Sequence, residues 1–277
     1  MILVVGGTSL IGEALIHRAR DQGQEISYTS KRSGTINHLD LSEKPEKWKI
    51  PPNVHTAILC AAVTGIANCE NSPEATRAIN VHATQELARL LADLGARVIF
   101  LSSNLVFPPD ASAPSESCTP APATEYGRQK LAVEEFLISK IPNSQIIRPT
   151  KVVSPSLPLF LKWKDAIANQ QPVEAFENLY FSPVSLDSVA EWILKIAVLE
   201  ESGIFHLSAS DSISYADAAM WLLHRYSAQP SLLVKISAPV ANLPGSNRLT
   251  CTRSVLLAGF QPFHSLKNLE HSWPEQK

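Results

Sequence analysis

Short apolar runs alternate with longer segments of helical periodicity along most of the chain. Ile2-Leu3-Val4-Val5 has the pattern of a buried strand and runs into a glycine turn. Glu13 to Arg20 then reads as a helix with Ala14, Leu15 and Ala19 on its apolar stripe. Gly23 closes this helix, Glu25 to Thr29 reads as a second strand, and the polar run Ser30-Lys31-Arg32-Ser33-Gly34 follows it. Further apolar runs at Ala57 to Val63, Val98 to Leu101 and Gln145 to Ile147 are separated by helical stretches around Pro73 to Leu94 and Tyr126 to Ile138. Strands and helices in strict alternation predict an α/β fold, a doubly wound parallel sheet of Rossmann type.

Two stretches interrupt that rhythm. Pro108 to Pro122, rich in proline and small polar residues, predicts an exposed loop just before Tyr126. After Arg148-Pro149 come Pro155, Pro158 and a cluster of aromatic residues, so residues 1–150 are expected to form the dinucleotide-binding domain and residues 151–277 mostly a smaller substrate-binding lobe. A strand near 203–208 should return to the sheet, with Ser214 to Arg225 and the segment from Arg248 onward belonging to the lobe.

Composition narrows the function classes. The chain has 277 residues, 45% of them hydrophobic, enough to bury a full core. Its 24 basic and 26 acidic residues leave a formal charge of -2, which offers no general attraction to nucleic acid or to an anionic membrane. No stretch reads as a signal peptide or a bilayer span, and Cys60, Cys69, Cys118 and Cys251 lack paired metal spacing. A cytoplasmic protein with reduced thiols is expected, and the eight histidines predict no metal site.

Candidate chemistry begins at Gly6-Gly7-Thr8-Ser9-Leu10-Ile11-Gly12. Gly6 and Gly12 take the outer places of a Gly-x-x-Gly-x-x-Gly spacing and Ser9 the middle one. Such a turn lets the backbone approach a pyrophosphate while the next helix aims its amides at the phosphates; otherwise it is a plain strand-to-helix turn. No acidic residue closes the second strand, where an NAD enzyme commonly holds the ribose hydroxyls. Lys31 and Arg32 stand there instead, either as partners of a 2′-phosphate or as solvated surface charges, so NADP(H) is preferred and NAD(H) second. Asp40 and Leu41 would bracket the adenine, with Asp40 accepting an amine hydrogen bond. Tyr126 and Lys130, four residues apart, share a helix face, where the ammonium would lower the phenol's pKa and make Tyr126 a proton donor. Ser103 follows the strand Val98 to Leu101 and would polarise a carbonyl facing Tyr126, or serve as a helix cap.

These motifs in this order resemble the extended short-chain dehydrogenase/reductase family, and within it the dTDP-4-dehydrorhamnose reductase group. The best-matching stretches are Leu101 to Phe107, Tyr126 to Glu135, and Ala61 to Asn80 with its Cys69-Glu70 and Pro73-Glu74 pairs. Ser182-Pro183-Val184 through Asp187, and Gly259-Phe260, match more weakly. The resemblance implies that Tyr126 protonates a developing alkoxide, Lys130 holds the nicotinamide ribose, and Ser103 fills the Ser/Thr position. It also implies that Leu10 and Ile11 lie at the pyrophosphate, that Ala61, Ala62 and Val63 line the cofactor beyond the fourth strand, and that Asn80 has a supporting role.

The implied activity is reduction of a keto group on a nucleotide-linked or other activated sugar, a small-molecule substrate, by a possible homodimer. A sugar-nucleotide epimerase or dehydratase uses the same Tyr-Lys pair. A cofactor-binding regulatory subunit, like that of methionine adenosyltransferase, resembles the same group. Departures fall at Asn104-Leu105, where the group often has Asp-Tyr, and at Leu243-Pro244, where an Arg-Pro pair is frequent; Arg248 or Arg253 would compensate for the lost arginine, or stand as plain exposed arginines. Phe160, Trp163, Phe176, Tyr180 and Phe181 would stack on a base or sugar, or form core.

Overall fold

Leu3, Val4 and Val5 leave no polar face for water, so β1 (Ile2–Val5) is sandwiched at the interior of a sheet with layers on both faces. The computed structural model describes residues 1–32, 37–239 and 248–273. After β1 come α1 (Leu10–Asp21), β2 (Ile26–Tyr28), β3 (Thr56–Leu59), α2 (Ile66–Asn71), α3 (Pro73–Arg77), α4 (Thr84–Asp93), β4 (Arg97–Leu101), α5 (Glu125–Lys140) and β5 (Gln145–Pro149). The chain continues through β6 (Lys151–Val153), α6 (Pro158–Ala168), β7 (Val173–Phe176), β8 (Tyr180–Phe181), β9 (Pro183–Ser185), α7 (Leu186–Ala197) and β10 (Gly203–Leu207). Last are β11 (Ile213–Ser214), α8 (Tyr215–Arg225), β12 (Leu233–Ile236), α9 (Thr252–Ala258) and α10 (Ser265–Ser272).

Six strands form one parallel sheet in the order β10-β5-β4-β3-β1-β2. This is the expected doubly wound sheet, with Gly203–Leu207 returning at its edge beside β5. The strand order reverses between β1 and β3, which opens a crevice outside the carboxyl ends of the strands. On one face Val4, Ile58, Ile99 and Phe205 pack with α1 and α7; on the other Leu3, Ala57, Val98 and Phe100 pack with α4 and α5. The period of two along each strand sends alternate side chains to the two layers.

A separate core gathers Phe160, Trp163, Phe181, Leu222 and Trp273 from the elements after β5. Not all of the later chain joins it. The residues of α7 that face the sheet, together with Cys251 and Phe260, pack with the first core. The segment from Arg248 onward therefore divides, since Leu269 and Trp273 belong to the second core. The proline-rich stretch is not uniformly exposed, because Pro114 and Glu116 are buried. Glu116 accepts the Arg253 backbone N–H at 3.0 Å, and the Pro114 carbonyl accepts that of Thr250, also at 3.0 Å. Contacts to residues far along the chain, 137 positions away in the case of Glu116 and Arg253, draw this loop inward.

Candidate active site

Gly6 has φ +83°, and a Cβ there would lie 2.8 Å from the backbone of Ala61. A Cβ on Gly12 would overlap the Gly6 carbonyl oxygen. Between them Ser9 caps α1: its Oγ accepts the Gly12 N–H at 3.2 Å and donates to the Gly6 carbonyl at 2.7 Å. The serine in the middle place thus crosslinks the turn. Ser9, Leu10 and Ile11, at the N-terminus of α1, line a cavity of about 770 Å³. A tight turn that excludes side chains, joined to a helix N-terminus, fits a pyrophosphate. Thr8 is exposed and lies outside the lining.

The stretch Ala61-Ala62-Val63 follows β3, the third strand and not the fourth. Its residues divide the work: Ala61 abuts Gly6, Ala62 lines the cavity, and Val63 is fixed by Asn80. Asn80 is buried on a π-helical turn, Ala78–Ala83, between α3 and α4. Its Oδ1 accepts the Val63 N–H at 2.8 Å, and its Nδ2 donates to the Val63 carbonyl at 2.9 Å and to Gln129 Oε1 at 2.8 Å. Asn80 therefore ties the turn after β3 to the helix that bears Tyr126.

Lys31 and Arg32 are exposed at the end of β2, where Ser30 Oγ accepts the Arg32 backbone N–H at 3.1 Å. Ser33 and Gly34 lie outside the described residues. Asp40 Oδ1 accepts from the backbone N–H and hydroxyl of Ser42 at 2.9 and 2.8 Å, bonds that hold its carboxyl below the ordinary value. The charges of Lys31 and His38 act on Asp40 in the same direction. Leu41 is buried in the core that also holds Val54 and Trp48, and it is not among the residues that line the cavity.

Three devices place Tyr126 on the first turn of α5. Thr124 Oγ1 caps the helix by accepting the Gly127 N–H at 3.1 Å. The Glu70 carboxylate accepts the Glu125 backbone N–H at 2.8 Å, a negative charge at the positive end of the helix. Gly127 is packed so closely that a Cβ would overlap the Leu105 carbonyl oxygen, in the turn that follows Ser103. Tyr126 and Ser103 consequently line the same cavity. Ser103 Oγ also accepts the Leu105 N–H at 3.2 Å, so it is a cap as well as a cavity hydroxyl. Ser102 also lines the cavity, and its hydroxyl donates to Glu134.

Burial pushes the Tyr126 phenol above its ordinary pKa, the opposite direction to the lowering expected from Lys130. Lys130 is buried, donates to the Leu101 carbonyl at 2.7 Å, and stands 4.6 Å from the Phe100 ring centroid and 5.7 Å from that of Tyr126. Desolvation brings its own pKa down to about 8. The same loss of water raises the Cys60 thiol, at the cavity wall, to about 12, which leaves it protonated and unreactive.

Sequence reasoning missed Thr150, Lys151 and Tyr215, which line the cavity together with Asn104, Leu105, Tyr180 and Arg248. Residues just past a parallel strand's carboxyl end were the available signal for Thr150 and Lys151. Of the aromatic candidates, Phe160 and Trp163 are core, Tyr180 faces the cavity, and Phe181 does both. Arg253 binds the Ser202 carbonyl and stacks on Phe205, away from the cavity, so it does not replace the expected arginine; Leu243-Pro244 lies outside the described residues.

The family model for the RmlD substrate binding domain matches residues 1–272. A probable low-salt glycan biosynthesis reductase of Haloferax volcanii is 27% identical over 77% of this chain and 76% of its own length. A dTDP-4-dehydrorhamnose reductase of Sinorhizobium fredii is 31% identical over 70% and 71%. In fold, the dTDP-4-dehydrorhamnose reductase of Bacillus anthracis, solved in complex with NADP, superposes with a TM-score of 0.83, 19% identity and coverage of 98% and 97%. The chain belongs to the RmlD substrate binding domain family, the dTDP-4-dehydrorhamnose reductase group of the extended short-chain dehydrogenases/reductases.

Proposed function

We propose that the chain is a cytoplasmic NADP(H)-dependent reductase of a keto group on a nucleotide-linked sugar. The observation that carries the reading is the meeting of Tyr126 and Ser103 in the cavity that the Gly6–Gly12 turn opens onto. The nicotinamide, when bound, supplies the hydride. Tyr126, held neutral by burial, keeps a proton for the carbonyl oxygen as negative charge develops there. Ser103 offers a second hydroxyl to the same oxygen, and both are fixed by caps before substrate arrives. Lys130 holds positive charge behind the phenol, 5.7 Å from its ring centroid, and would support the proton transfer from there. Among the described residues no Asp or Glu lines the cavity, which deprives a dehydratase of its added acid/base pair.

Lys31 and Arg32 support the choice of NADP(H), since both cations follow directly on the end of β2, a strand that the sequence closes with no acidic residue. The test is a titration of NADPH and NADH against the wild type, Lys31→Ala/Arg32→Ala and Tyr126→Phe, with turnover of a keto-sugar nucleotide in parallel. The double variant should lose about tenfold or more in NADPH affinity and little for NADH. Tyr126→Phe should keep NADPH binding and lose roughly a hundred- to ten-thousand-fold in turnover. Binding of neither cofactor would sink the reductase assignment, and full turnover by Tyr126→Phe would remove the tyrosine from the chemistry.

A further inference from the structure

Three side chains of α5 stand at intervals of four: Tyr126, Lys130 and Glu134. That spacing keeps them on one helix face, and all three are buried. They meet the carboxyl end of β4. Lys130 donates to the carbonyl of Leu101, the last residue of the strand, at 2.7 Å. Glu134 accepts the hydroxyl of Ser102, the next residue. Tyr126 shares the cavity with Ser103, the residue after that. One face of the helix thus meets three successive residues of the stretch that presents Ser103.

Tyr126, Lys130 and Ser103 have parts in the proposed reaction, whereas Glu134 has none. Glu134 is completely buried and both its oxygens are filled: Oε1 accepts from Ser102 and from Arg148 Nε at 3.0 Å, and Oε2 accepts from Arg148 Nη2. Replacing such a buried ion pair by apolar side chains often costs a fold nothing, so stability alone is a weak reason for its presence. Arg148 lies on β5, the strand next to β4, so Glu134 is fixed from the sheet as well as from its own helix.

Ser102 and Ser103 both line the cavity, but their protons are not equally available. The Ser102 hydroxyl is spent on Glu134, whereas that of Ser103 makes a long contact of 3.4 Å with Asn104 Oδ1. The Ser102 tether holds the chain on one side of Ser103, and the Leu105 N–H, which donates to Ser103 Oγ at 3.2 Å, holds it on the other. Glu134 also acts on Lys130. Desolvation lowers the lysine to about 8, and against it stand the Cys60 thiol after β3, Glu134 on the same helix and the Cys69 thiol on α2. Burial raises both thiols, so they are protonated where Lys130 titrates, and the Tyr126 phenol is raised as well. Among these groups the carboxylate paired with Arg148 is the one negative charge.

We infer that Glu134 is a positioning residue of the reduction that acts through two groups: it holds the strand end that presents Ser103 by binding Ser102, and it keeps the Lys130 ammonium charged beside Tyr126. The inference rests on the reductase reading for the roles of Ser103, Lys130 and Tyr126.

The test compares wild type, Ser102→Ala and Glu134→Gln in NADPH titration, in urea unfolding, and in kcat and KM with dTDP-4-dehydrorhamnose as the probe, between about pH 6 and about pH 10. Ser102→Ala leaves the ion pair whole. Its kcat should fall about tenfold, with KM and NADPH affinity little changed and the alkaline limit in place. Glu134→Gln removes the carboxylate and leaves Arg148 a bare cation. Both changes disfavour the Lys130 ammonium, so the alkaline limit should move to lower pH by about half a unit or more. A merely structural role would lower stability and NADPH affinity and leave that limit where it is. If Glu134→Gln does not fold, Ser102→Ala decides. A wild type that binds NADPH and reduces no keto-sugar nucleotide sinks the reductase reading and the inference that rests on it. With an active wild type, the inference alone is overturned if Ser102→Ala keeps the wild-type kcat, or if Glu134→Gln keeps the wild-type alkaline limit.

Discussion

Burial acts on Tyr126 and Lys130 in one direction, toward the uncharged form of each. The phenol is raised above its ordinary value and the lysine brought down to about 8. Helical spacing made the pair recognisable in sequence, but spacing carries no information on solvent, and solvent decides the sense of both shifts. For a reductase the outcome suits the chemistry, because the donor must begin protonated. The lysine then sets the alkaline limit. Turnover should fall as pH rises through about 8, where Lys130 loses its charge, and Lys130→Met should be slow at every pH without that step. Stability should respond with the opposite sign. Between about pH 8 and the ordinary lysine value of 10.5 the unfolded chain holds a proton that the folded one lacks, so the Lys130 contribution stabilises the fold as pH rises through this window. Measuring turnover and urea unfolding over the same range separates the two, and a parallel decline in both would mean that alkaline unfolding, not Lys130, ends activity.

At the scale of elements, the position of α5 is what turns a Tyr-x-x-x-Lys spacing into a site. Its N-terminus is held by Glu70 from α2, and Gln129 in its second turn meets Asn80 on the π-helical turn and Thr76 on α3 at 2.9 Å. Gly127 brings the helix against the turn after β4, so close that the Leu105 carbonyl occupies the place of a Cβ. Gly127→Ala should therefore force α5 away from the turn after Ser103, with a loss of about 1–3 kcal/mol in stability and a larger proportional loss in turnover than in NADPH affinity. Urea unfolding with kinetics on the same preparation checks it; an alanine variant as stable and active as wild type would show that the two elements have slack between them. The alternation of strands and helices was legible from apolar runs alone, because each strand is buried on both faces. The Tyr126 to Glu135 motif was legible too, yet its reasons were not. Glycine at 127 answers to a carbonyl 22 positions earlier, and Glu134 answers to Ser102 and Arg148, pairings that exist only after the sheet has formed. The same holds for Leu41, whose neighbours in sequence suggest a ligand contact and whose neighbours in space are core.

Across the whole molecule, a buried polar chain joins the sheet to the segment that carries Arg248 and Leu249. Glu134 on α5 takes Ser102 and a two-pronged ion pair from Arg148 on β5. Arg148 Nη1 approaches His206 Nε2 on β10 at 3.4 Å, and the Nδ1–H of His206 donates to the Thr250 carbonyl at 3.0 Å. Thr250 in turn donates through its hydroxyl to Ala113 in the proline-rich loop at 2.7 Å. Strand ends, loop and late segment thus enclose the cavity as one connected wall. The chain requires a neutral imidazole, since protonation would set a second cation against Arg148 in the interior. Desolvation and that guanidinium bring the His206 pKa down to about 3. Unfolded, His206 takes up its proton near the ordinary value of 6.5, so between pH 6.5 and about 3 the unfolded state binds the extra proton. The His206 contribution is complete above pH 6.5 and is lost progressively as pH falls, by up to ~1.4 kcal/mol for each pH unit. His206→Asn keeps a donor toward Thr250 and cannot titrate. Urea unfolding from pH 7 to pH 4 should accordingly show a steeper decline for the wild type than for the variant, even though the variant begins less stable at pH 7. Parallel slopes would mean that other groups control acid stability, and that the ring is not held neutral by its contacts with Arg148 and Thr250.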